Sequence, residues 1–278
     1  MPRDVLPSSA QWWIAFRRQL AFYLRTNRFV GLLLFVAIVS GAVLAFQLHS
    51  GAGQVQGSDT DASGYLLSSM GNVGIAVILV AAFLGGDAIA MDFGTSSGYY
   101  VLVLPVKRLV LLAGRYAAAF VATFVIGLVY YAFFVAGAAY FFGATSIPVG
   151  TLLLSIGLAA LFALAALAVA FFFSSFFKSP AVGMIVTVLV LYLGFSIVAG
   201  VVEFAGYEPW FSLPYASDVV SQVFNSNFQH VTVLQVTKRF TITTYEPYLW
   251  EGTVIMFSYL VVFLGLSALL YEWKESKG

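Results

Sequence analysis

Cysteine is absent from the 278 residues, which excludes disulfides, thiol nucleophiles and thiolate metal sites. Histidine is almost absent too: His49 and His230 are the only two, so a histidine-built metal cluster is not expected. Charge is scarce, at 9% of residues against about a quarter in ordinary soluble domains. The net charge of +1 leaves no basic stripe to neutralise phosphates, and nucleic acid is excluded as a partner. No GxxxxGK[ST] loop occurs, so the chain has no means of hydrolysing ATP alone, and no cofactor of its own is expected. HExxH and paired carboxylates within apolar runs are missing as well, against an intramembrane protease. One GxSxG string does occur, from Gly94 to Gly98. A nucleophile elbow needs a strand before it, a helix after it and a base, whereas here a membrane helix precedes the string and both histidines fall on the opposite face. No catalytic residue is assigned.

What is present is apolar. Hydrophobic residues make up 61% of the chain and the mean hydropathy is +0.96. Such a chain cannot hide its apolar surface in one core, so lipid must be its solvent. About 20 apolar residues cross a bilayer as a helix, and six segments meet that length: 29–47, 71–90, 109–142, 149–177, 181–202 and 252–271. The expected fold is all-α and integral to the membrane. An amphipathic interfacial helix occupies 1–28, and a six-helix transmembrane domain fills 29–278. In the entry helix, Trp13, Phe16, Leu20, Tyr23 and Leu24 share one side, with Arg17, Arg18, Arg25 and Arg28 on another. No cleavable signal is read in residues 1–28. Five or seven spans would leave one terminus outside.

Charge sets the orientation. With the N-terminus inside, Arg3, Arg17, Arg18, Arg25, Arg28, Lys107, Arg108, Arg115, Lys178, Lys274 and Lys277 are cytoplasmic, and only Lys238 and Arg239 lie outside. Eleven of thirteen basic residues on one side is a strong positive-inside bias, so both termini are expected in the cytoplasm of a multi-pass plasma-membrane protein. Residues 48–70 then form a flexible outer loop, and 203–251 a larger outer segment. In that segment Ser217 is expected to cap a short helix through Phe224, and VTVLQVTKRFTITTY alternates as strands do.

The polar break DFGTSSGYYVLVLPVKR, residues 92–108, interrupts these spans on the cytoplasmic side. With its flanks it resembles the cytoplasmic loop of ABC type-2 transporter permeases. The match runs through Asp92, Gly94, Ser97-Gly98-Tyr99 with Tyr100, the apolar patch around Leu102, Pro105-Val106-Lys107-Arg108, and Gly114-Arg115. The usual glutamate is Asp92 here and the usual lysine is Arg115, both with charge kept. RRQLAFYLRTNRFVGLLL resembles the family's entry helix, and YEPYLWEGTVIMFSYLVVF its last span. The resemblance implies a non-catalytic half-transporter, more often an exporter. Two permease subunits, as homo- or heterodimer, would each dock an ABC ATPase subunit that carries ATP and Mg2+. Closure of the ATPases would push a short coupling helix over about 94–103.

Each residue also has a plainer reading. Tyr99, Tyr100 and the aliphatic patch in so polar a neighbourhood favour docking over an ordinary connection. Asp87 and Asp92 read as coupling charges toward Lys107, Arg108 or Arg115, or as solvated helix-end pairs. Arg115 reads as a coupling charge or as a snorkelling cation. Glu203 reads as a gate or as a solvated helix end. The entry-helix arginines fit an anionic-lipid anchor. Ala37, Gly41 and Ala45, like Ser196 and Gly200, repeat small residues every four positions and allow close helix approach, within the subunit or across a dimer. His49 and His230 read as loop residues. Two other classes stay open: an intramembrane enzyme acting on lipid or prenyl substrates, and a membrane assembly protein that does not transport.

Overall fold

The computed structural model describes residues 7–50, 54–56, 59, 61–90, 107–177, 179–237 and 240–275. Among them, six helices are long and apolar enough to cross a membrane. With no water to satisfy backbone groups in hydrocarbon, an apolar run of this length closes its hydrogen bonds on itself.

The chain opens with α1 (Ser8–Arg25) and turns at Asn27, whose φ of 54° is a left-handed conformation that asparagine tolerates well. The first candidate span, α2 (Arg28–Ser50), follows directly. The second is made of α3 (Ala62–Met70) and α4 (Val73–Gly85). It starts well before the expected residue 71, inside what reads as a flexible loop. Asp61 caps α3 by accepting the Gly64 N–H at 2.8 Å, and the serines of ASGYLLSSM lower its hydropathy without exposing it. Tyr65, Leu66 and Met70 are fully buried, with Tyr65 against Phe141 at 5.7 Å between ring centroids. The span ends at Gly85 rather than residue 90, where a Gly-Gly pair breaks the helix.

The third span, α5 (Arg108–Phe142), stops at Gly143, whose φ of 89° few other residues adopt. The fourth is α6 (Val149–Phe176). The fifth is α7 (Pro180–Val188), a π-helical turn at Leu189–Gly194, and α8 (Phe195–Phe204). Pro180 begins it at the first turn, where its missing N–H costs nothing. Within the wider turn Leu191 alone is buried. Two short helices follow, α9 (Leu213–Ser217) and α10 (Val219–Gln222), in place of one capped by Ser217. Ser212 is the cap instead, and the Ser217 hydroxyl donates back to the Pro214 carbonyl at 2.6 Å. Strands β1 (Val231–Thr237) and β2 (Phe240–Tyr245) pair antiparallel, as the alternation predicts. The last span begins α11 (Leu249–Glu275).

The core lies between α4, α5 and α6, while α2, α7–α8 and α11 turn most of their apolar surface outward. Alanines crowd the middle of α6, so its neighbours approach closely; Ala163, Ala165, Ala166, Ala168 and Ala170 are all buried. Tyrosine hydroxyls fasten helix to helix by donating to carbonyls: Tyr116 to Leu164 at 2.5 Å and Tyr130 to Ser69 at 2.9 Å. Gly41 packs against the Phe133 ring of α5, so the small-residue face of α2 is used within the subunit at that point. Gly200 has open space around it.

Candidate functional site

The described residues stop at Ala90, just past the end of α4, and resume at Lys107, just before α5. Both attachment points are held by side chains from other elements. Ser174, fully buried near the end of α6, accepts the backbone N–H groups of Ile89 and Ala90, each at 3.0 Å. Gln11 of α1 accepts the Lys107 N–H through Oε1 at 3.2 Å. Arg115 of α5 donates from Nη1 to the Ala88 carbonyl at 2.9 Å. Tyr23 of α1 donates to the Leu84 carbonyl at 2.6 Å, taking up one of the carbonyls left over at the end of α4. Asp87, with no exposed side-chain surface, is ion-paired with Arg28 at the start of α2. The Arg28 guanidinium also lies 5.6 Å from the centre of the Phe22 ring.

Two close approaches lock this junction. A Cβ on Gly114 would lie 2.8 Å from both the Trp12 carbonyl and the Ala15 Cβ, so α1 meets α5 backbone to backbone. A Cβ on Gly86 would lie 2.8 Å from the Met184 Cα, which brings the start of α7 against the end of α4. Five candidate spans and the entry helix therefore meet around Gly85–Ala90 and Lys107.

The sequence expectations divide around this geometry. Asp92, Gly94, Ser97, Gly98, Tyr99, Tyr100, Leu102 and Pro105 lie outside the described residues. Lys107 and Arg108 begin α5. Arg115 of α5 reaches the turn that carries Asp87, where it bonds the carbonyl of the adjacent Ala88. The described partner of Asp87 is Arg28, a residue that reads from sequence as a lipid anchor. Tyr23, expected on the lipid-facing side of α1, is fully buried, while Trp13, Ile14 and Leu24 are exposed. Gln11 and Ser174 carry no sequence signal, and Tyr23 carries one only as an apolar-face residue, because a hydroxyl or amide in an apolar helix leaves the hydropathy pattern unchanged.

Between α2 and α3–α4 runs a groove of about 640 Å³. Its walls are apolar at the junction end (Phe35, Phe83) and polar at the other (Gln47, Ser68, Asn72). The buried Ser40 hydroxyl on its lining has no hydrogen-bond partner. The shape and polarity suit an amphiphile.

Glu203, on the last turn of α8, belongs to a different cluster at the opposite end of the bundle. Glu208, Asp218, Glu246, Glu251 and His230 gather there with it. Burial, then the nearby Glu246 and Glu203 carboxylates, push the Asp218 carboxyl up to about 8. Its unfolded value is about 3.9. The folded form thus binds the proton more tightly, and stability falls as pH rises from about 4 to 8. Asp218→Asn should raise the melting temperature of the purified chain at pH 8 and leave it unchanged at pH 4. An equal shift at both pH values would mean that charge is not the cause.

No family model matches the chain, and no curated protein matches it.

Proposed function

We propose that the chain is the membrane subunit of a two-part ATP-driven exporter, of the ABC type-2 permease kind that residues 92–108 resemble. One observation carries the reading. The segment bearing that motif is fastened at both ends to α1, α5 and α6, with Asp87 tied to α2, so a force applied to it would reach most of the bundle. ATP and Mg2+ belong to a separate ATPase subunit that docks on 94–103. A second permease subunit, identical or related, covers exposed apolar surface of the peripheral spans; Phe46 of α2 is 71% exposed.

In this reading the 91–106 end faces the cytoplasm of a plasma-membrane protein and the hairpin end faces outward. Trp13 and Ile14 beside Arg17, Arg18 and Arg25 on the free side of α1 suit anionic headgroups. The groove between α2 and α4 would take a lipid-like, peptide or drug-like amphiphile, polar end outward.

Two results test this. An ATPase subunit with a phosphate loop should co-purify with the tagged full-length chain; failure to recover one from native membranes would remove the reading. Cysteines placed at Ser58 and Ser97 should label from opposite faces of intact cells, since the chain has no cysteine of its own. Labelling from one face would overturn the orientation.

A further inference from the structure

We propose that Glu208, His230 and Glu251 form a site for a divalent transition metal ion of the Zn2+ type at the hairpin end of the bundle. Three separate pieces of chain meet there: the stretch after α8, the residue before β1, and the first turn of α11. One ligand atom from each of the three residues lies within 4.8 Å of the others. His230 Nε2 stands 3.7 Å from Glu208 Oε2. Ligands about 2.0–2.1 Å from a tetrahedral Zn2+ lie about 3.3 Å apart, so modest side-chain rotation would close the set.

Each donor is already oriented by a group behind it. His230 Nδ1 is 2.8 Å from the Glu246 carbonyl, which can only accept. That bond places the ring proton on Nδ1 and leaves the Nε2 lone pair facing the two carboxylates, the arrangement that prepares an imidazole for a metal. The Tyr248 ring stacks on the imidazole at 4.4 Å and 16°, fixing its plane. Tyr215 donates to Glu208 Oε1 at 2.6 Å, leaving Oε2 for the site. The Tyr248 N–H donates to Glu251 Oε2 at 3.0 Å and ties that side chain to the start of α11.

Charge favours a cation as well. Residues 203–251 hold five carboxylates, Glu203, Glu208, Asp218, Glu246 and Glu251, against Lys238 and Arg239. Those two basic residues lie outside the described residues. A mixed imidazole and carboxylate set prefers Zn2+ and its neighbours to Ca2+ or Mg2+, which favour oxygen alone. Three protein ligands leave a fourth position for water or an incoming donor. The bound ion would pin the hairpin segment between the last two candidate spans.

The test uses the full-length chain in detergent, carrying an affinity tag without histidine and stripped with EDTA. Titration with ZnCl2 should give one saturable equivalent per chain, and Co2+ should give the intense visible bands of four-coordinate geometry. His230→Ala and Glu208→Gln should weaken Zn2+ binding at least tenfold, while His49→Ala, at the end of α2, should not change it. Should either site variant fail to fold, X-ray absorption of the Zn2+-loaded wild type decides, with one imidazole and oxygen ligands expected. Several weak equivalents only, no saturable binding, or wild-type affinity in a folded His230→Ala chain would overturn the site.

Discussion

Arg28→Gln should destabilise the folded chain by about 3–5 kcal/mol, the usual cost of stranding one half of a buried ion pair. Asp87→Asn should cost much less. The asymmetry follows from where the two groups sit. The Asp87 side chain has no exposed surface, whereas Arg28 keeps 36% of its side-chain surface exposed. Without Arg28, a carboxylate is left buried just past the C-terminal end of α4, where the helix dipole already places partial negative charge. Arg115, the nearby cation, is engaged with the Ala88 carbonyl. Without Asp87, the guanidinium keeps its place over Phe22 and its route to solvent. The double variant should therefore resemble Asp87→Asn alone. Thermal unfolding of the four purified chains in one detergent gives the comparison. Equal losses for the two single variants would mean that the pair does not hold the junction together.

The second large effect is on association. Replacing Tyr99 and Tyr100 by aspartate should abolish recovery of the ATPase subunit while the chain still inserts and still pairs with its second permease subunit. Paired aromatics in a short polar segment fit the pattern of anchors that enter a partner's pocket, and losing such an anchor costs about 2 kcal/mol or more. A carboxylate at each position adds the cost of desolvating a charge with no counter-ion. Phe replacements at the same positions should retain most binding, because they keep the apolar ring. Unchanged ATPase recovery with the aspartates would move docking elsewhere, with α1 the next surface to test.

Much of the fold was legible because hydrocarbon imposes one rule. A run of about 20 apolar residues has little choice but to be a helix, and five of the six expected spans agree with the helices to within a few residues. The second did not, because hydropathy counts Ser63, Ser68 and Ser69 as polar without knowing that α3 packs against α5. The β1–β2 hairpin was readable from alternation, and the short helices before it were misplaced by choosing Ser217 over Ser212 as the cap.

The candidate sites were legible in proportion to charge. Asp87 and Arg115 stood out as ionisable groups at a span end, but the Arg28 partner did not, since nothing in a linear pattern brings the start of α2 to the end of α4. Gln11 and Ser174 are invisible to such a reading, and Tyr23 reads only as part of an apolar face, because their hydrogen bonds go to backbone far away in sequence. The Glu208, His230 and Glu251 cluster was missed for another reason. Counting two histidines argued against a metal cluster, whereas the site proposed above needs only one histidine with two glutamates from distant segments beside it.

The most direct measurement is ATP hydrolysis by the complex purified through the tagged full-length chain, before and after its peripheral subunit is stripped away. If the chain is the membrane half of an ATP-driven exporter, the intact complex should hydrolyse ATP in a vanadate-sensitive way. The stripped chain should not, and adding back the stripped fraction should restore the activity for wild type but not for the Tyr99→Asp, Tyr100→Asp variant. Hydrolysis retained by the stripped chain, or none from the intact complex, would contradict the account.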